Sequence, residues 1–315
     1  MKPLFEERLR SLLPQEEDFA AFEKIVHTSP RNFIRCNTLK ITPEKLFKRL
    51  AQRWTMLQPF PAYPEIMLID QSLSPGELGN AIEHLLGYYY VQEISSMLSV
   101  LALDPQPGEK VLDLCAAPGS KTSQIAAQMQ NSGLLLANDV RTDRIRILAA
   151  TLERCGVSNE VITKNDGVAL CARLAKKEFK FDRVLLDAPC SGEGTLRSSP
   201  KTFIMWNPKV VHNLSRMQKK LFAFALKVLK KGGTIVYSTC THAPEENEDL
   251  VRFALTNFPI KVENISLPLK CRPGIRSWKE ESFPVEVEQC CRIYPHDNDS
   301  EGFFVAKFTL LEEVE

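Results

Sequence analysis

The chain has 315 residues, a length that suits about two domains and allows a sizeable core. Its 40 lysines and arginines against 39 aspartates and glutamates leave a formal charge of +1, so a polyanion would have to be bound by a local patch rather than by the whole surface. Nine cysteines without a C-x-x-C pair are typical of reduced intracellular thiols, and no run of about 18 apolar residues could span a bilayer, so a soluble cytoplasmic protein is expected.

The first ninety residues predict a small α/β domain. Residues 33–37 have the apolar pattern of a strand, and Thr42-Pro43-Glu44 begins a helix, because threonine is a good N-cap and proline fits the first helical position. Residues 31–53 contain seven basic residues and one acidic residue, Glu44, so they carry positive charge that the total conceals. This segment is the candidate contact for a polyanion, while a solvated helix face is the alternative for such a run.

From about residue 91, short apolar runs alternate with helical stretches, which is typical of βαβ units and a parallel sheet. The predicted strands are residues 111–114, 134–139, 161–163, 184–187 and 234–238, followed by a late antiparallel edge strand at 301–308. The predicted helices, with apolar residues at spacings of three and four, are residues 122–130, 141–155, 217–229 and 245–257, and Gly232-Gly233 ends the third. The expected architecture is an N-terminal domain over residues 1–90 and a doubly wound α/β domain over residues 91–315.

The turn at residues 115–121 follows the first of these strands and opens a helix. Gly119 permits close approach of a ligand, and Pro118 restricts the turn before the helix amides become available. A phosphate-binding loop is excluded because it needs adjacent glycine and lysine. Asp139 ends the next strand about twenty residues later, where an acid in such folds accepts hydrogen bonds from ribose hydroxyls. Asp166 follows the third strand and is placed to meet an adenine amino group, although an Asx turn before Gly167 is equally consistent.

Two cysteines follow predicted strands, in the sequences Asp-Ala-Pro-Cys at residues 187–190 and Ser-Thr-Cys at residues 238–240. Ligands collect at the carboxyl ends of strands in an open α/β sheet, so Cys190 and Cys240 should converge on one crevice. Either cysteine alone is most often a small buried apolar residue. Together they indicate a nucleotide-derived cofactor site that faces a thiol nucleophile.

Several motifs in the same order resemble the Sun (Fmu, NSUN) family of RNA cytosine-5 methyltransferases. They are residues 115–122, residues 187–196, residues 237–241 with Pro-Glu-Glu-Asn-Glu at 244–248, residues 90–97, residues 292–296 and residues 301–304. The resemblance covers most of the chain. It implies a Rossmann-like methyltransferase sheet that uses S-adenosylmethionine, preceded by a smaller α/β domain that recognises RNA.

The resemblance also assigns roles to the candidate site residues. Carbon 5 of cytosine becomes reactive only after a thiolate adds to carbon 6, so a cysteine nucleophile is required. The family pattern makes Cys240 that nucleophile, lets Cys190 assist release and places Asp187 at ring nitrogen 3. The implied cofactor contacts are Cys115, Ala116, Ala117, Pro118, Gly119, Ser120, Lys121, Asp139, Arg144, Asp166 and Asp187.

The implied partner is tRNA or rRNA, with a slight preference for tRNA, and the protein is expected to act as a monomer without a metal ion. Two of the implied cofactor contacts have structural alternatives. Lys121 could simply extend into solvent from the first turn of its helix. Arg144 could form an ordinary ion pair on the helix surface. Two other functions stay open: an RNA-binding or assembly factor that retains the fold, and a methyltransferase of proteins or small molecules. The paired thiols argue against both, since neither function needs covalent activation.

Overall fold

The computed structural model describes residues 2–314, whose strands form a four-stranded sheet, a nine-stranded sheet and a two-stranded hairpin. The strands are β1 Asn32–Cys36, β2 Met56–Leu57, β3 Ile66–Ile69, β4 Tyr89–Val91, β5 Lys110–Asp113, β6 Leu134–Asp139, β7 Glu160–Lys164, β8 Phe181–Asp187, β9 Leu229–Thr239, β10 Ile260–Glu263, β11 Arg272–Pro273, β12 Ser277–Trp278, β13 Glu281–Ser282, β14 Cys291–Ile293 and β15 Phe303–Leu310. The helices are α1 Pro3–Leu12, α2 Glu16–Val26, α3 Pro43–Leu50, α4 Glu77–Asn80, α5 Ile82–Leu85, α6 Ile94–Leu103, α7 Ser120–Gln128, α8 Thr142–Cys155, α9 Gly167–Ala175, α10 Thr202–Met205, α11 Pro208–Leu226, α12 Glu248–Asn257 and α13 Pro295–Asn298, with a 3-10 turn at Val285–Gln289.

The large sheet has the strand order β11-β14-β15-β9-β8-β5-β6-β7, and β10 also pairs with β15. From β7 to β9 the neighbouring strands are parallel, which confirms the predicted doubly wound α/β fold and its five central strands. The parallel strands are nearly continuous apolar runs because helices cover both faces of such a sheet. Their carboxyl ends therefore meet at one edge, where the loops that follow β5, β6, β8 and β9 come together.

Two sequence predictions in the second half of this sheet are wrong. The helix predicted at residues 217–229 is α11, which begins nine residues earlier because Pro208 occupies the first turn and the Asn207 side chain accepts a hydrogen bond from the Lys209 amide at 2.9 Å. Gly232 and Gly233 do not end that helix but lie within β9. The strand predicted at an edge, β15, lies instead between β9 and the strands β14 and β10, all antiparallel to it.

The small sheet has the order β2-β3-β1-β4, and α3 packs against it. Thr42 caps α3 as predicted, with its hydroxyl accepting from the Lys45 amide. The first two helices belong elsewhere: Phe5 on α1 and Phe22 on α2 are fully buried in the hydrophobic core of the large sheet. The division of the chain at residue 90 stays a prediction, and β4 crosses it.

A buried arginine joins the small sheet to the large domain. Arg35 on β1 is 2 % exposed and donates hydrogen bonds to Gln92 at 2.8 Å and to the Ser123 hydroxyl on α7 at 2.8 Å. Asn37 donates to the Cys155 carbonyl at the end of α8, at 2.7 Å. The small sheet is therefore fastened to the two helices that follow β5 and β6. Across residues 2–314, no helix is long and apolar enough to cross a membrane.

Candidate active site

The turn between β5 and α7 is shaped by a glycine and a buried carboxylate. Gly119 has φ of +105°, and a side chain there would bring a Cβ atom within 2.9 Å of Thr151 on α8. Below the turn, Thr122 donates a hydrogen bond from its hydroxyl to Asp113 at 2.7 Å. Burial raises the pKa of Asp113 to about 7, with a smaller contribution from the Asp187 carboxylate. The glycine thus allows the turn to lie against α8, whereas its predicted role, close approach of a ligand, stays a prediction.

Beside this turn lies a cavity of about 470 Å³, which we call the smaller cavity. Of the predicted cofactor contacts, four line it: Cys115, Asp139, Arg144 and Asp166. Residues 116–120 form the turn itself and stand outside this lining. The lining residues that were not predicted come mainly from the segments around β6 and β7 and from α11: Leu114, Asn138, Val140, Asn165, Gly167, Val168, Pro189, Asn213, Arg216, Met217, Lys220 and Leu221.

The carboxylates of the smaller cavity are held in place by local contacts. Asp139 is 3 % exposed, accepts a hydrogen bond from the Arg141 amide at 3.0 Å and pairs with Arg144 at 3.2 Å. Arg144 also donates to the Ala117 carbonyl and so connects α8 to the turn. Asp166 accepts from the Ala169 amide at 3.0 Å as the N-cap of α9, so this carboxylate has a structural role at the start of that helix.

A larger cavity of about 1050 Å³ opens between the small sheet and the carboxyl edge of the large sheet. Lys121, Asp187 and Cys240 line it from the large domain. Lys121 donates to one Asp187 oxygen at 2.7 Å, and the Ser238 hydroxyl donates to the other at 2.8 Å. Burial by itself lowers the pKa of Lys121, but the adjacent Asp187 carboxylate outweighs it and raises the pKa above its usual value. The carboxylate is therefore oriented from both sides by side chains of the sheet edge.

The two cysteines predicted to converge do so. Asp187 and Ser238 are opposite each other in the parallel pair β8 and β9, and this register brings Cys190 Sγ to 3.0 Å from Cys240 Sγ. The hydrogen bond to Cys240, together with burial, raises the pKa of Cys190 well above its usual value. Only Cys240 of the two lines the larger cavity, within the residues that the structure describes. Burial also raises the pKa of Cys115, but within residues 2–314 no second thiol is hydrogen-bonded to it.

The backbone on both sides of Cys190 is held by two side chains whose roles the sequence did not reveal. Gln218 on α11 donates from its amide nitrogen to the Pro189 carbonyl at 2.8 Å and to Glu246 at 2.7 Å. Glu246 also accepts from the Ser191 amide at 3.1 Å. Burial raises the pKa of Glu246 to about 7. These contacts fix the turn that carries Cys190. Glu246 belongs to the Pro-Glu-Glu-Asn-Glu motif at residues 244–248, but nothing in that motif indicated this contact.

Two further contacts hold the turn of Cys240. The Gly194 amide donates to the Cys240 carbonyl at 2.9 Å, and a Cβ atom at Gly194 would lie 2.3 Å from the Gly302 carbonyl. Deeper in the fold, Arg292 donates to both oxygens of Glu248, at 2.6 and 2.7 Å, and to the His242 carbonyl at 3.1 Å. The glycine permits a close approach that no side chain would allow, and the buried ion pair supports the turn from behind.

Most of the predicted polyanion-binding segment has internal partners. Arg31 pairs with Asp70 at 2.8 Å, Arg49 with Glu83 at 2.6 Å, and Lys40 donates to main-chain carbonyls. Arg53 pairs with Glu77, and Arg35 is buried as described above. The role of this segment in binding a polyanion stays a prediction. In the described part of the chain no three or more His, Cys, Asp or Glu side chains are grouped so that they could hold a metal ion.

Comparisons with known proteins agree with this geometry. A family model described as 16S rRNA methyltransferase RsmB/F matches residues 100–309, and one described as the N-terminal domain of 16S rRNA methyltransferase RsmF matches residues 1–94. The structure resembles that of a methyltransferase homolog protein from Pyrococcus horikoshii, with a TM-score of 0.86 and 32 % identity over 99 % of this chain and 96 % of that one. It also resembles NSun6 from Pyrococcus horikoshii with SFG, with a TM-score of 0.84 and 25 % identity over 98 % of both chains.

Two curated relatives are similar over nearly all of this chain. The tRNA (cytosine(49)-C(5))-methyltransferase of Pyrococcus abyssi is 42 % identical over 94 % of this chain and 93 % of the relative. The ribosomal RNA small subunit methyltransferase F of Cronobacter sakazakii is 41 % identical over 90 % of this chain but only 58 % of the relative, so the chain spans somewhat more than half the length of that protein. The resemblance inferred from the motifs is confirmed, and the chain belongs to the RsmB/F family of methyltransferases.

Proposed function

We propose that this protein is an S-adenosylmethionine-dependent RNA cytosine-5 methyltransferase that forms 5-methylcytosine in tRNA or rRNA. Of these two substrates, tRNA is slightly favoured as the hypothesis. The observation that carries the proposal is the pair of sulfur atoms 3.0 Å apart, one of which faces a large cavity beside an oriented carboxylate. Methylation of amines or hydroxyls needs no such thiol, whereas carbon 5 of cytosine does. Location in the cytoplasm and a monomeric, metal-free state stay predictions.

The smaller cavity is the proposed site of the cofactor. Its volume of about 470 Å³ lies in the range usual for ligands of this size, and its donor set suits a nucleoside. Asp139, at the end of β6, would accept hydrogen bonds from ribose hydroxyls, and Asp166 would lie near the adenine. When bound, S-adenosylmethionine supplies an electrophilic methyl group. Arg144 orients Asp139 from the opposite side of the carboxylate.

Cys240 is the proposed nucleophile because, of the two cysteines, it is the one that lines the larger cavity among the residues that the structure describes. Its Sγ forms a bond to carbon 6 of cytosine, which makes carbon 5 nucleophilic. The pair of Lys121 and Asp187 holds a proton at the edge of the sheet, in position for ring nitrogen 3. Once carbon 5 carries the methyl group, solvent water acting as a base takes its proton. The electron pair of that C–H bond re-forms the double bond between carbons 5 and 6, and Cys240 Sγ leaves carbon 6 as a thiolate.

Cys190 is the proposed partner in release. The raised pKa keeps the Cys190 thiol protonated, so that it can donate a hydrogen bond to Cys240 Sγ and stabilise negative charge on that sulfur. The same thiol is placed to support departure of Cys240 from carbon 6. Loss of Cys190 should therefore stall the reaction after methyl transfer rather than before it.

The test compares variants of the two cysteines. Cys240→Ser should abolish methylation of RNA, measured by bisulfite sequencing, and trapping by 5-fluorocytosine-containing RNA. Cys190→Ala should accumulate a protein–RNA complex that survives denaturing gels, depends on S-adenosylmethionine and is linked through Cys240. Cys271→Ser, which alters a thiol outside both cavities, is the control and should behave as the wild type.

Two results would contradict the proposal. A link that maps to Cys190 would move the nucleophile to the Pro-Cys sequence. An active Cys240→Ser variant would remove covalent catalysis by this residue. Wild-type protein that binds RNA without methylating any cytosine would favour the alternative of an RNA-binding or assembly factor.

A further inference from the structure

The segment between Glu193 and Glu245 contains no acidic residue. Over the same residues, 194–244, the sequence has nine lysines and arginines: Arg197, Lys201, Lys209, Arg216, Lys219, Lys220, Lys227, Lys230 and Lys231. The near-neutral total charge conceals the positive charge of this segment. Residues 31–53 are also basic, but they include one acidic residue, Glu44. The 194–244 segment contains Cys240 and the whole of α11.

Some of these cations are used inside the fold. Arg197 pairs with Asp299 at 2.7 Å, Lys219 with Asp249 at 2.6 Å, and Lys230 with Asp182. In each pair, an acidic side chain of the fold neutralises the cation. These cations are therefore not part of any surface available to a partner.

Three cations of α11 are different. Lys209, Arg216 and Lys220 are exposed, and among residues 2–314 none of these side chains has a hydrogen-bond or ion-pair partner. Their spacings of seven and four residues place them along one face of the helix. We call this face the α11 stripe; at 1.5 Å per residue it extends over about 16 Å.

The α11 stripe lies beside the reactive groups. Arg216 and Lys220 line the smaller cavity, which is also lined by Pro189, the residue before Cys190. Lys209 lies in the first turn of α11, about 16 Å along the helix axis from Lys220. A chain of negative charge that enters the site would meet these cations without displacing any internal salt bridge.

We propose that Lys209, Arg216 and Lys220 bind consecutive backbone phosphates of the RNA substrate and so hold the strand beside Cys190 and Cys240. This inference rests on the proposed function. Phosphate contacts by lysine and arginine position a nucleic acid without reading its sequence, which suits an exposed stripe of flexible cations. A role limited to the cofactor would leave Lys209 unexplained, because this residue lies outside the smaller cavity.

The experiment measures binding of an unmodified tRNA transcript over a range of salt concentrations. The triple variant Lys209→Gln, Arg216→Gln, Lys220→Gln removes three charges from exposed positions. If each contact contributes as for single-stranded nucleic acid, the slope of log K against log salt should fall by about 2, and affinity in 0.1 M salt should fall about a hundredfold. Because this electrostatic contribution does not depend on sequence, the test holds whether the natural substrate is tRNA or rRNA.

Two controls accompany this variant. Lys176→Gln, Lys177→Gln, Lys231→Gln removes the same charge from the opposite edge of the sheet, before β8 and at the start of β9, and should leave the slope unchanged. The charge-preserving variant Lys209→Arg, Arg216→Lys, Lys220→Arg should bind as the wild type. All three should keep the thermal midpoint of the wild type, since the altered side chains are exposed.

The outcomes separate this inference from the proposed function. A wild-type slope in the stripe variant would overturn the inference, even if the wild type methylates RNA. Weaker binding of S-adenosylhomocysteine with unchanged RNA binding would overturn it as well, and would assign the cations to the cofactor. Wild-type protein that neither binds the transcript nor forms 5-methylcytosine would instead refute the proposed function on which the inference rests.

Discussion

Replacement of Arg292 by methionine tests how the turn of Cys240 is supported. Arg292 is 1 % exposed and Glu248 is fully buried, so the substitution leaves the Glu248 carboxylate buried without its ion-pair partner. Breaking one partner of a buried pair costs about 3–5 kcal/mol, and the lost hydrogen bond to the His242 carbonyl adds about 1 kcal/mol. In a large domain, each kcal/mol of lost stability lowers the thermal midpoint by about 2 °C. The thermal midpoint of this variant should therefore fall by roughly 10 °C.

The assay is thermal unfolding followed by circular dichroism, with a second variant to identify the cause. In Arg292→Met, Glu248→Leu the stranded charge is gone, so most of the lost stability should return, apart from the hydrogen bond that the Ile275 amide donates to Glu248 at 3.0 Å. Lys261→Met, which breaks an exposed pair with Glu263, should stay near the wild type. A double variant as unstable as Arg292→Met would refute the explanation by a stranded charge.

The remaining predictions concern the smaller cavity and a titrating carboxyl group. Asp139→Ala should weaken binding of S-adenosylhomocysteine markedly in isothermal titration, because ribose hydroxyls lose their acceptor; unchanged affinity would remove Asp139 from the cofactor site. Burial raises the pKa of Glu246 from an ordinary 4.5 to about 7. The folded state therefore binds this proton more tightly than the unfolded state does. The resulting stability is present below pH 4.5 and is lost as pH rises through 7. Denaturant unfolding should therefore show a smaller loss of stability between pH 5 and 7.5 in Glu246→Gln than in the wild type, and equal losses would contradict the assignment.

Local patterns in the sequence were sufficient for the parallel half of the fold and for part of the site. Alternating apolar runs and helices located β5 to β9, because buried parallel strands and their helices each have their own periodicity. The rule that parallel strands end at one edge then predicted that Cys190 and Cys240 would meet. Asp139 was predicted in the same way from its position at the end of a strand, and it lines the smaller cavity, while its role toward a cofactor stays a prediction.

Other features depend on contacts between distant residues and were decided only by the tertiary structure. The inner position of β15 follows from pairing with β10 and β14, which are short and have no distinctive pattern. A charge count cannot show that Arg49 is paired with Glu83 while Arg216 has no ion-pair partner among residues 2–314, since both are basic residues on helices. The sequence by itself therefore determined the parallel strands β5 to β9 and the edge at which their ends converge. The tertiary structure decided which charged side chains are paired, because that depends on three-dimensional neighbours that no local spacing records.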